Sequence, residues 1–134
     1  MRILYTNDEG GVSVIVPVPS WTGTMEELAA KVVPENEPYK IVEDSVVPTD
    51  RTFRGAWENY AAITVSLAKA KEITKARLRE ERKPLLEAQD VLFMKAQESS
   101  SDTSAIVTEK QRLRDITASA DSASTLDELK GLSA

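Results

Sequence analysis

The side chains that most enzymes rely on are missing from this chain. No histidine and no cysteine occurs among its 134 residues. That excludes Ser-His-Asp and Cys-His catalytic sets, disulfides, and metals ligated by His or Cys. What remains is carboxylate, lysine or tyrosine chemistry. Adjacent carboxylates stand at Glu80-Glu81 and Asp127-Glu128, and acid-base work would need burial or close charges to move their pKa. Both pairs lie in polar helical stretches where exposure is the default, and no nucleophile-base set accompanies them. No catalytic residue, metal ligand or cofactor-binding residue is therefore assigned. The chain reads as a non-enzyme without a small-molecule substrate, and an enzyme dependent on carboxylate or lysine chemistry is the distant alternative.

Three other clusters call for a reading. Asn7-Asp8-Glu9-Gly10-Gly11 lacks the alternating oxygen ligands of a calcium loop and the Lys-Ser/Thr pair of a phosphate loop, so it is read as a hairpin turn. Lys69, Lys71, Lys75, Arg77, Arg79, Arg82 and Lys83 could form a basic stripe for nucleic acid or lipid. Glu72, Glu80 and Glu81 are interleaved with them, and the cations spread around the helix, which favours a solvated face laced with salt bridges. Phe53 and Trp57 share a face if the segment is helical, and in a chain this poor in aromatics they read as core before binding hot spot.

The elements that must position these residues follow from patterning. Residues 2–18 read as a β-hairpin with β-branched arms, closed by Pro17 and Pro19, which cannot donate to a ladder. Thr24 and Glu27 form a capping box for a short helix from Met25 to Val33, ended by Pro34. Tyr39-Lys40-Ile41-Val42 reads as a third strand and Val46-Val47-Pro48 as an extended connection. A helical turn carrying Phe53 and Trp57 is expected to lead into a short strand over 61–66. Residues 67–97 are helix-rich, and Pro84 predicts either two helices or one sharp kink. Beyond it, Leu85, Ala88, Leu92 and Ala96 recur at helical spacing. Residues 98–103 read as a turn. A helix over 105–117 follows, capped by Ser104, with Ile106, Leu113 and Ile116 on one side. After a polar run over 118–124, Thr125 and Glu128 open a last short helix that Gly131 closes.

The expected fold is α+β: a small antiparallel β unit (a hairpin plus a third strand) with a packed helix, over 1–66, then a helical hairpin with a short terminal helix, over 67–134. Apolar residues make up 41% and aromatics 5%, so the core must rest on Val, Ile, Leu and Ala. The net charge of −5 disfavours nucleic acid, which attracts basic surfaces. No apolar run approaches a membrane span, and the first residues lack a signal peptide's apolar stretch, so the chain is expected to be made in a cytoplasm and to bind no membrane.

Several blocks resemble small proteins encoded in the tail modules of tailed bacteriophages and prophages. The points of contact are Ile3-Leu4-Tyr5 with the Gly10-Gly11 turn and the Val-rich return strand, and then residues Pro48 to Trp57. Two later blocks, Arg77 to Leu86 with Asp90 and Lys110 to Ile116, resemble the C-terminal part of phage tail assembly chaperones. At its serine loop this chain departs from the chaperones, which carry a Pro-rich stretch there. The resemblance implies a structural or assembly protein, found in the virion tail region and in the host cytoplasm during assembly. Its partners would be tail or tail-fibre proteins, with a second copy of itself as a further candidate. A tail or tail-fibre assembly chaperone absent from the finished particle is the alternative. The contact residues expected on this reading are Phe53, Trp57, Leu85, Leu92, Phe93 and Leu113.

Overall fold

The computed structural model describes residues 1–134. The chain divides into two compact units, Met1–Ser66 and Leu67–Ala134, and its class is α+β.

The first unit starts from a hairpin of β1 (Arg2–Thr6) and β2 (Val12–Ile15). Its turn is organised by Asn7, whose Oδ1 accepts from the N–H groups of Glu9 at 3.1 Å and Gly11 at 2.9 Å. Gly10 follows at φ +76, the left-handed position that a type I turn with a bulge assigns to glycine. Helix α1 (Met25–Val32) begins at the expected capping box: Glu27 N–H donates to Thr24 Oγ1 at 3.1 Å, and Thr24 N–H to Glu27 Oε2 at 2.9 Å. Strand β3 (Tyr39–Val42) returns antiparallel to β1, giving the sheet order β2-β1-β3. Strand alternation then sorts β1. Leu4 pairs with Val14 and Lys40, while Ile3 pairs with Ile15 and Ile41. The Leu4 side joins the core of Val12, Val42, Val47 and Trp57. Ile3, on the other side, is also fully buried, as is Ala29 of α1.

Three expectations for this unit need correction. Val46 is not extended but ends a 3₁₀ turn over Asp44–Val46, and the extended backbone begins at Val47. Trp57 does not sit on a helical turn with Phe53. A 3₁₀ turn covers Arg54–Ala56, and Trp57 opens β4 (Trp57–Glu58), paired with β5 (Thr64–Val65). Residues 61–63 are consumed by the connecting turn, where Asn59 takes φ +60 and its Oδ1 accepts from Ala61 N–H at 3.2 Å. The physical reason is competition. Trp57 gains a strand pairing with Val65 and a place in the core, and Gly55 offers little to a longer helix.

The second unit is built on α2 (Leu67–Glu98), a helix of 32 residues and therefore about 48 Å long. It continues through Pro84 as one helix, so of the two expected outcomes the break into two helices does not occur. Proline removes the N–H that would bond the Glu80 carbonyl, but the flanking Ala-, Lys-, Glu- and Arg-rich turns favour helix on both sides. A turn with Ser100 at φ +54 closes α2. Ser101 N–H donates to the Ala96 carbonyl at 2.8 Å and Ser100 N–H to the Gln97 carbonyl at 3.1 Å, the Schellman pattern with serine in the place glycine usually takes. Helix α3 (Ser104–Asp115) begins one residue before its expected start. Thr103 rather than Ser104 stands at the N-cap, without a side-chain cap bond, and Asp102 Oδ1 accepts from the Ser104 N–H at 3.0 Å. The polar run after α3 is itself a short helix, α4 (Ala118–Ser122), followed by α5 (Leu126–Lys130).

Trp57 is 1% exposed at the centre of the first unit's core. Trp57→Ala is therefore expected to cost about 3–5 kcal/mol of stability. Urea unfolding of the full chain checks this, and an unchanged midpoint would remove Trp57 from the core.

Candidate functional site

Helix α2 changes its surroundings along its length. In its first half, Ala70, Thr74 and Leu78 stand four residues apart and are each at most 1% exposed. The buried Thr74 hydroxyl is satisfied by donating to the Ala70 carbonyl at 2.9 Å. Helices α4 and α5 pack on this half, contributing the buried Ala120 and Leu129. In its second half α2 packs against α3, where Leu113 is fully buried and Leu86, Phe93, Ala96, Ile106 and Ile116 are half-buried. Lys110 bridges this seam. Its Nζ lies 2.5 Å from Asp90 Oδ1 and 5.2 Å from the Phe93 ring centroid.

The basic residues of α2 have a task that their spacing in sequence does not reveal. Lys71 Nζ donates to the Asp121 carbonyl at 2.9 Å, in the last turn of α4. Arg77 donates to the Leu129 carbonyl at 3.2 Å, in the last turn of α5. Arg82 donates to the carbonyls of Leu113 at 3.4 Å and Arg114 at 2.7 Å, in the last turn of α3. The last carbonyls of a helix lack intrahelical partners and carry the negative end of its dipole, so one cation answers each of the three ends. Carboxylates complete the set. Lys75 Nζ sits 2.5 Å from Asp121 Oδ1 and 3.0 Å from Glu72 Oε1, and these bonds, Asp121's first, raise the Lys75 pKa. Glu81 accepts from Arg77 at 2.6 Å and from the Ala134 N–H at 3.1 Å. The expected salt-bridged face exists, but it is joined to a set of helix-end clamps that no periodicity signals.

The six expected contact residues fall into distinct environments. Phe53, Trp57 and Leu113 are buried, at 5%, 1% and 0% exposure, and none offers a surface. Phe93 is half-buried at the α2–α3 seam. Leu85 and Leu92 are 41% and 47% exposed, and Ala88 between them is exposed. Of the stripe expected along Leu85, Ala88, Leu92 and Ala96, only Ala96 is half-buried at the seam with α3, and the other three are exposed. The packed residues, Leu86 and Phe93, lie one position further along. What the exposed stripe does continue is the buried row of Ala70, Thr74 and Leu78: steps of three and four through Glu81 keep all these positions on one side of α2. At the stripe the cover supplied by α4 and α5 has ended. Val91 and Met94 on α2 and Val107 on α3 are also exposed.

No three acidic side chains converge as metal ligands, and no helix is long and apolar enough to cross a membrane. Comparison with protein-family models, with curated proteins and with solved structures finds no match to this chain.

The Arg77 hydrogen bond, and after it the Ala134 N–H, hold the Glu81 carboxyl below its ordinary value. A carboxyl depressed in this way contributes stability above its unfolded pKa, and that contribution is lost as pH falls through the folded value. Glu81→Gln is expected to lower Tm at neutral pH, and the difference should shrink as pH falls and the wild-type carboxyl becomes protonated. A Tm difference that stays constant across the acid range would contradict this role.

Proposed function

We propose that this chain is a non-enzymatic structural or assembly protein of a bacteriophage tail module, and that it docks onto other tail proteins through the uncovered flank of its helical hairpin. The observation that carries the reading is the row on α2 that is buried at Ala70, Thr74 and Leu78 and bare at Leu85, Ala88 and Leu92. A helix laid along this flank would extend the packing that α4 and α5 begin, and apolar anchors spaced by three and four residues suit helix-in-groove recognition. The second support is the resemblance of Pro48–Trp57, of Arg77–Leu86 with Asp90, and of Lys110–Ile116 to tail-module proteins and tail assembly chaperones.

Nucleic acid is not the proposed partner. Lys71, Lys75, Arg77 and Arg82 are engaged by carbonyls and carboxylates of the same unit, which leaves no continuous basic stripe to replace phosphate counterions.

Leu92→Lys tests the docking face. Leu92 is 47% exposed, so the variant is expected to keep the wild-type circular dichroism and to lose co-purification with tail proteins from infected cells. A folded variant that still co-purifies, with normal phage yield, would rule out this flank. Mass spectrometry of purified virions then distinguishes a resident tail protein, present in the particle, from an assembly chaperone, absent from it.

A further inference from the structure

The first unit carries a second feature, independent of the hairpin flank. Arg51, Arg54 and Trp57 stand three residues apart, joined by two backbone bonds of the 3₁₀ type. Arg54 N–H donates to the Arg51 carbonyl at 3.1 Å, and Trp57 N–H donates to the Arg54 carbonyl. These two consecutive turns bring both guanidiniums to the same indole. The Arg54 Cζ lies 4.4 Å and the Arg51 Cζ 5.9 Å from its centroid. Trp57 is buried and fixed by the core, Arg54 is half-buried and Arg51 is exposed.

Neither guanidinium takes part in an ion pair. Asp50, adjacent in sequence, turns its Oδ1 to the Thr52 N–H at 3.0 Å and the Thr52 hydroxyl at 2.7 Å. Burial first, and then the Arg51 charge, lower the Arg54 pKa, yet a guanidinium stays protonated at neutral pH. Two like charges therefore approach one ring, and an anion within reach of both offsets their mutual repulsion.

We propose that Arg51 and Arg54, both held near the Trp57 ring, bind a carboxylate carried by an acidic peptide segment of a partner protein. Shape and charge select this class of ligand. Guanidinium forks match the planar, two-oxygen carboxylate, and Arg beside Trp is the pairing that concentrates binding energy at protein interfaces. A nucleic acid would need several phosphates neutralised in register, whereas two cations converge here on a chain of net charge −5.

The test is a titration of the full ¹⁵N-labelled chain at low salt with a capped hexaglutamate peptide. The arginine Nε–Hε and Trp57 indole resonances are the readout, and inorganic phosphate at matched ionic strength is the second arm. The expected result is saturable shifts at Arg51, Arg54 and Trp57, with hexaglutamate binding more tightly than phosphate. Affinity should fall about tenfold or more in R51Q/R54Q, the size of effect that loss of charge-assisted bonds produces. R54K keeps the charge but not the fork, and it should bind several-fold more weakly than wild type while its Trp57 indole resonance shows the turn intact. Shifts that never saturate, undiminished affinity in R51Q/R54Q, or tighter binding of phosphate would each overturn the proposal.

Discussion

The second unit depends on hydrogen bonds from the cations of α2 to the ends of its three neighbours. Helices α4 and α5 have five residues each, far below the length at which a helix holds itself in water. They exist because α2 offers them two things at once: a narrow apolar row at Ala70, Thr74 and Leu78, and a cation for each C-terminal end. Lys71 and Arg77 are placed on the rod so that α4 and α5 end where these side chains reach. Arg82 does the same for α3. The seven-residue basic cluster is thus largely inward-working, and the exposed parts of the unit are apolar or mixed in charge.

This arrangement explains where a binding face can arise. A row on one side of α2 needs cover along its whole length, and α4 and α5 supply it only to the level of Glu81, where the Ala134 N–H is held. Past that level the row continues as Leu85, Ala88 and Leu92 without a partner from its own unit. The first unit is closed by different means. Its sheet is covered on the Leu4 side by Trp57 and the β4–β5 hairpin residues, and Arg51 and Arg54 lie near the same indole.

Much of the fold was legible because local signals agreed with the tertiary structure. Gly10 in the hairpin turn, the Thr24–Glu27 box and the stretches of β-branched residues each specify one backbone conformation on their own. The failures mark places where a distant contact decided the outcome. Trp57 abandons a helical turn for a pairing with Val65. Pro84 is a different case, since local propensity decided between its two readings: strong helix formers in the turns on both sides keep α2 one helix. The polar stretch after α3 becomes a helix because small residues, Ala120 and Ala123, can be buried there. The candidate site was partly visible. The Leu85–Leu92 spacing identified a stripe, but spacing does not tell a packed stripe from a bare one, and the packed seam proved to be Leu86 and Phe93. The helix-end clamps were invisible, since an arginine that caps a helix some thirty to fifty residues away has the same local sequence as a solvated one.

Amide hydrogen exchange on Arg77→Met measures most directly whether cations on α2 hold the short helices in place. Methionine keeps the apolar stem and removes the donor to the Leu129 carbonyl. The structure predicts that the amides of Leu129, Gly131 and Leu132, which close α5 through bonds to Thr125, Asp127 and Leu129, lose about tenfold or more of their protection by local opening. The amides of β1 in the first unit should keep theirs. Unchanged protection throughout α5 would contradict the dependence of the unit on its helix-end cations.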